Sequence, residues 1–202
     1  MPVTRKYRMR ARAEHQQDTR RRIVEAAVQL HGTVGPARTT FRGVAAIARL
    51  PRQTVYRHFA DEAALFGACS AHYLQANPPP NPSSWLQAPN PLARLRRALL
   101  DLYSYYERNQ AMLANVLRDA AIVPSLRAFI VPYDQFRAGA LAVLAEGWPG
   151  DQDSLRASIG VALTFDTWRS LVVEQHLSDQ RAVDLMAAFV RGFGGTGRSW
   201  RG

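Results

Sequence analysis

The stretch TTFRGVAAIARLPRQTVYRHF, residues 39–59 of a 202-residue chain, decides the fold. Phe41, Val44, Ala45 and Ala48 recur at i, i+3, i+4 and i+7, which predicts one apolar face of a short α-helix. Thr39 or Thr40 suits its N-cap, where a hydroxyl accepts an otherwise orphaned backbone N–H. Arg49-Leu50 forms the break, and Pro51 suits the first position of a second helix, where a missing N–H is no loss. That second helix runs to about His58. Val55 and Phe59 then turn inward, and Arg52, Gln53, Tyr56 and Arg57 turn outward. Two arginines, an amide and a tyrosine on one face suit base edges and phosphates better than a core. The pair reads as a helix-turn-helix with its second helix as the reader.

Upstream, Thr19 to Thr33 is expected to be helical, with Ile23, Ala26, Ala27 and Leu30 as its buried stripe and Gly32 and Gly35 marking its end. Gly35-Pro36 is a turn signal. Residues 1–18 are polar and basic with no usable apolar period, and a flexible arm is expected there. Arg5, Lys6, Arg8 and Arg10 suit either a minor groove and its phosphates or a merely solubilising tail. Downstream, Asp61 is a plausible N-cap for a fourth helix to about Gln75, with Leu65, Ala68, Cys69 and His72 on one face. Cys69 and His72 share the spacing of a metal pair. No second cysteine and no nearby carboxylate or histidine set completes a tetrahedral site, so a packed thiol is expected, with no metal and no cofactor.

TVYRHF, preceded by an Ala-rich helix and followed by DEAALF, resembles the DNA-binding domain of the tetracycline-repressor (TetR) family. TRRRIVEAAVQLHGTVG resembles that family's opening helix, so the likeness covers about residues 19–68. Two positions depart from the family pattern: Arg49 stands where glycine is usual in the turn, and Glu62 where lysine usually follows the reading helix. The resemblance implies an all-α chain with a three-helix DNA-binding domain at 19–60 and a helical effector-binding and dimerisation domain at 61–202. Arg52 and Gln53 are the expected base readers, Arg forking onto guanine and Gln onto adenine. Thr40, Thr54, Tyr56, Arg57 and His58 are expected to grip phosphates and set register; at the positions of Thr40, Tyr56 and His58 this is what the resemblance implies.

Charge agrees with that placement. Residues 1–60 hold thirteen Lys and Arg against Glu14, Asp18 and Glu25, and the remaining 142 residues are neutral overall. The whole net charge of +10 therefore lies on the segment with the helix-turn-helix, which points to a polyanion as its partner. One cysteine excludes an intramolecular disulfide framework and fits a reducing cytoplasm. No apolar run approaches the ~20 residues of a membrane helix, and the Arg-rich N-terminus lacks the apolar centre of a secretory signal.

Beyond residue 76 the chain reads as a helical domain. Residues 77–91 hold half of the prolines and form a connection that Trp85 is expected to pin to the body. A helix follows from Leu92 to about Arg108, and another from Ala111 to Ile122. A third starts after Pro124 and runs to about Glu146, and Pro132 should kink or divide it. A long helix is expected from Asp153 or Ser154 to about His176, apolar nearly all round and so covered on both sides. Ser178 or Asp179 caps a last helix with Ala182, Leu185, Met186, Phe189 and Val190 as its stripe.

LTFDTWRSLV and the capped helix after it also resemble the C-terminal part of TetR-type regulators. That implies a homodimer through the last two helices, and an effector cavity. Candidate lining residues are Tyr103, Tyr106, Met112, Leu113, Leu117, Tyr133, Phe136, Phe165, Asp166 and Trp168, although the aromatics, residue by residue, suit an ordinary core better than a pocket. Asp166, on an apolar stripe, needs a partner, either a cationic ligand or an internal arginine such as Arg118 or Arg169. No Gly-rich phosphate loop, nucleophile elbow or catalytic triad spacing is present, so no enzyme is expected. The reading is a one-component, operator-binding regulator, expected to be a repressor released by a small molecule. Alternatives are a sequence-independent basic DNA binder, or a helical ligand-binding protein or enzyme that has lost operator specificity.

Overall fold

The structure, a computed structural model, describes the backbone of residues 3–194 and the side chains from Tyr7 onward, that of Phe129 excepted. The glycine-rich end, 195–202, lies outside the described residues. Among the described residues every regular element is helical. The helices are α1 (Val3–Thr33), α2 (Phe41–Ala48), α3 (Arg52–His58), α4 (Glu62–Ala76), α5 (Pro91–Arg108), α6 (Gln110–Ala120), α7 (Arg127–Ala145), α8 (Gln152–Ala162), α9 (Phe165–Trp168) and α10 (Asp179–Gly194). They fall into two compact units. One holds the residues up to Asn77 together with Ala111–Ile130; the other holds Pro78–Gln110 together with the residues from Val131.

In the first unit α1 packs on α2 and α4, and α2 on α3. The apolar period of residues 39–59 is what closes it: Phe41, Val44, Ala45, Ala48, Val55 and Phe59 are all buried, with Ile23, Ala27, Leu65 and Cys69. Each large side chain so buried contributes roughly 1.5–3 kcal/mol. Thr40 is the N-cap of α2 and accepts the N–H of Gly43 at 3.1 Å. Asp61 caps α4 by accepting the N–H of Ala64 at 2.8 Å. Pro51 sits one place earlier than expected, as the extended cap residue ahead of α3.

The structure differs from the sequence reading at residues 3–18. They continue α1 as helix, because no glycine or proline interrupts the run and it is rich in Arg, Ala, Met, Glu and Gln. Arg10 pairs with Glu14 one turn on, at 2.9 Å.

In the second unit α10 packs on α5 and α8, and α5 on α9 and on a 3-10 turn at Pro82–Gln87. That turn buries Trp85 completely, and its indole N–H donates to Asp101 at 3.0 Å. Trp85 thus anchors the proline-rich connection. Pro132 does not divide α7. It is the sixth residue of the helix, and the carbonyl it leaves without a donor belongs to Ala128, an exposed residue that water reaches.

The long helix expected over 153–176 is a second correction. It stops at Ala162, and Thr164 caps a new helix by accepting the N–H of Thr167 at 3.0 Å. Beyond Trp168 the chain continues as a π-helical turn at Arg169–Glu174. Three tyrosines account for the break. Tyr103 donates to the carbonyl of Ala162 at 3.0 Å and Tyr106 to that of Leu163 at 2.7 Å. Tyr133 accepts the N–H of Phe165. These groups are the orphans that a helix end and a helix start leave behind, and side chains from α5 and α7 satisfy them.

Candidate nucleic-acid interface

The turn between α2 and α3 sets the angle of the outward face. Arg49 adopts the left-handed conformation, φ 52° and ψ 50°. Its N–H reaches Ala46, and the N–H of Leu50 reaches back to Ala45 at 3.0 Å, the doubled closure of a Schellman motif. Leu50 completes it by packing on the core. Glycine is the usual occupant of such a left-handed cap position, so an arginine there carries backbone strain.

Two arginines of α1 hold the far ends of the reading pair. Arg22 donates to the carbonyl of Ala48 at the end of α2, at 2.7 Å. Arg20 donates to the carbonyl of His58 at the end of α3, at 3.2 Å, and its guanidinium lies 4.2 Å from the centroid of Phe59. Cations at helix C-termini are favoured by the local dipole. Sequence reasoning treated both arginines as background charge. Their signal was there: they lie just before the buried Ile23 on the helix that supports the motif.

On α3, Arg52, Gln53, Tyr56 and Arg57 are exposed, Thr54 and His58 are half-buried, and Thr40 is exposed at the start of α2. The seven expected DNA contacts thus lie on two adjoining short helices, clear of the core. Arg52 is held in place: its guanidinium donates to the hydroxyl of Tyr56 at 2.8 Å and lies 5.2 Å from that ring. Tyr56 is itself steadied by Phe41, ring centroids 4.8 Å apart. Burial, then the neighbouring charges of Arg57 and Arg20, lower the pKa of His58, so it presents a neutral imidazole at neutral pH. Cys69 is a packed thiol directed at the carbonyl of Val24, and burial pushes its pKa up to about 12.

Residues 23–69 match the family model of the bacterial regulatory proteins of the tetR family. The N-terminal module is of the TetR family. The fold of the whole chain is TetR-like as well. A TetR-like transcriptional regulator from a Rhodococcus species superposes with a TM-score of 0.63 at 18% identity, over 86% of this chain and 94% of the other. AibR, solved with isovaleryl coenzyme A and operator DNA, gives 0.61 at 19%, over 84% and 96%. A TetR transcription regulator from Haloarcula marismortui gives 0.62 at 15%, over 88% and 98%. No curated protein matches the chain. The TetR-type module is a helix-turn-helix DNA-binding module, so the chain has the fold of a DNA-binding transcriptional regulator. Among the described residues no helix is long and apolar enough to cross a membrane.

The expected effector residues are only partly brought together. Tyr103, Tyr106, Tyr133, Phe165 and Trp168 form one aromatic cluster in the second unit. Tyr106 stands edge-on to Phe165 at 5.5 Å and 6.0 Å from Trp168, with its hydroxyl 3.2 Å from that of Tyr133. Burial raises the pKa of Tyr103 and Tyr106, so both stay protonated donors. Phe136 is half-buried on α7. Met112, Leu113 and Leu117 lie on α6, in the first unit, with the Met112 methyl close to Gly32 of α1. Asp166 is displaced from the apolar stripe to the surface, 80% exposed, and pairs with Arg169 at 3.5 Å. The break at Thr164 restarts the helical phase, and that rotates the carboxylate outward.

Proposed function

We propose that the chain is a one-component transcriptional regulator, a repressor that leaves a palindromic operator when a small molecule binds. Residues 19–60 would bind DNA, and residues 61–202 would carry effector binding and dimerisation. The observation that carries this reading is the outward face of α3, where Arg52 is clamped to Tyr56 beside Gln53 and Arg57. Such a face offers bidentate donors at fixed positions, which is what major-groove readout needs.

Exposed Leu185, Phe189 and Phe193, one turn apart along α10, and exposed Val161 on α8 favour a homodimer through these helices. Two reading helices about one duplex turn apart, near ~34 Å, would then meet two half-sites. The aromatic cluster around Tyr106 supports an apolar or amphipathic effector, in keeping with AibR, whose bound acyl-coenzyme A is also amphipathic. Such an effector would act by binding one spacing of the half-site readers better than the other. The lone, buried Cys69 fits a reducing cytoplasm as the place of work.

The test is selection of DNA from a random duplex pool at ~0.15 M salt, where exposed charges are screened beyond about 8 Å. Wild type would be run beside Arg52→Ala/Gln53→Ala. A palindromic motif that the variant loses is expected. Recovery of no motif, with binding that vanishes as salt rises, would replace the operator reading by a charge-only DNA binder.

A further inference from the structure

Every residue from Tyr7 to Asp18 is exposed, yet α1 runs through them without a break. This overhang has a definite side. Arg20 is fixed to the carbonyl of His58 and the ring of Phe59, so α1 crosses the C-terminal end of the reading helix at that point. The residues before it project beyond the module, by roughly 24 Å at 1.5 Å per residue. Within the module, Thr19, Ile23, Ala26 and Leu30 turn toward α2 and α4. Stepping back from Thr19 by four, three and four residues gives His15, Arg12 and Arg8, which therefore continue the same side of the helix.

The acidic residues of α1 take the other side. Glu14, Asp18 and Glu25 recur at i, i+4 and i+11, about a third of a turn away from the line of Arg8 and Arg12. Glu14 is engaged by Arg10, and Asp18 and Glu25 by Arg21. Among the described ion pairs none includes Arg8 or Arg12. The charges of α1 are thus segregated: acids with their own arginines face away from the helix-turn-helix, and two uncommitted arginines face its side.

We propose that this face is a second DNA contact, in which Arg8 and Arg12 pair with backbone phosphates of the duplex outside the half-site and read no bases. The inference rests on the DNA-binding reading of α3 and adds to it a sequence-independent extension of the footprint. Its rigidity matters. A helical overhang presents its two guanidinium groups at one fixed spacing, whereas a coil must be ordered on binding.

The test uses the full chain and Arg8→Gln/Arg12→Gln, which keeps good helix formers at exposed positions. Affinity would be measured against salt on duplexes of about 40 base pairs, one with the selected motif at its centre and one of random sequence, and on the motif trimmed to its ends. The expected result is a slope of log K on log salt shallower by about 1.8 per protomer on both long duplexes, which is about a sevenfold smaller affinity change over a threefold salt range. The difference should shrink on the trimmed motif, and the selected sequence should not change. Arg8→Glu/Arg12→Glu should weaken binding further, with unchanged helical circular dichroism and melting. Equal slopes for wild type and variant on the long duplexes, with the motif retained, would overturn this contact and leave the operator reading intact. A slope difference without any selected motif would support the contact and remove the operator reading. Failure of wild type to bind either long duplex would end both.

Discussion

Asp119 accepts the backbone N–H of Ala37 at 2.9 Å, joining α6 to the turn that leads into α2. The carboxylate is buried, and Nε of Arg118 meets its other oxygen at 2.7 Å. Alongside, Asn115 donates to the carbonyl of His31 at the end of α1, at 3.0 Å. The turn has no room for anything larger than glycine at Gly35, whose φ is 91° and where a Cβ would clash with Asp119. Burial works to raise the pKa of Asp119, but the hydrogen bonds from Arg118 and Ala37 outweigh it, and the net shift is downward. A carboxyl lowered by folding stabilises above its ordinary pKa, and the contribution is lost as pH falls through the folded value. Asp119→Asn should therefore cost about 1–3 kcal/mol at pH 7. In urea titrations its deficit should narrow at pH 3; an equal deficit at both pH values would show that the carboxylate charge contributes nothing.

His31 predicts a second, separate pH dependence. Its Nε2 is buried without a partner, and the ring packs against Phe66 at 5.3 Å. Burial lowers its pKa to about 4, with Asp119 opposing. The folded state holds the ring neutral while the unfolded chain takes up a proton below about pH 6.5. Stability is thus full above pH 6.5 and declines as pH falls toward 4, by on the order of 3 kcal/mol at the extreme. His31→Phe should flatten the stability profile between pH 6.5 and 4.5. An unflattened profile would assign that acid sensitivity elsewhere.

Arg49→Gly should stabilise the chain. The left-handed conformation costs an L-residue roughly 1–2 kcal/mol, partly offset by the greater freedom of glycine when unfolded. A net gain of about 0.5–1 kcal/mol is expected, read as a higher denaturation midpoint. Arg49→Ala keeps the strain and should show no such gain.

Tyr106→Phe removes one hydroxyl that serves two partners, the carbonyl of Leu163 and the hydroxyl of Tyr133. A buried carbonyl left without its donor costs about 1–3 kcal/mol. The loss should appear in thermal unfolding, and the new α9 cap should loosen, visible as faster amide exchange at Phe165–Trp168. A variant as stable as wild type would mean that the break at Thr164 does not depend on this tyrosine.

The parts of the fold legible in the sequence are those fixed within a dozen residues. Phe41, Val44, Ala45 and Ala48 carry a helical period that tertiary packing merely fills, and Thr40 and Asp61 cap by local hydrogen bonds. The break after Ala162 was not legible, because what stabilises it comes from Tyr103, Tyr106 and Tyr133, far away in sequence. Its one local sign, Thr164 three residues before Thr167 with Asp166 between, looks like any polar turn of a helix. That single miss moved Asp166 from an inferred interior to the surface. The helical start at Val3 was missed for the opposite reason. Residues 3–18 have no apolar face, and periodicity says nothing about a helix whose sides are all wet. On the reading helix, exposure was legible from the phase of Val55 and Phe59, but the pairing of Arg52 with Tyr56 was not, since an i,i+4 spacing permits contact without requiring it.

The clamp between Arg52 and Tyr56 bears on the thermodynamics of recognition. A free arginine on a helix surface samples many rotamers, and fixing it on a guanine edge is opposed by entropy. Here the guanidinium already rests on a ring and a hydroxyl, and Phe41 holds that ring from beneath. Meeting DNA then exchanges one hydrogen bond for another instead of freezing a mobile chain, so the difference between right and wrong bases should register mainly as enthalpy.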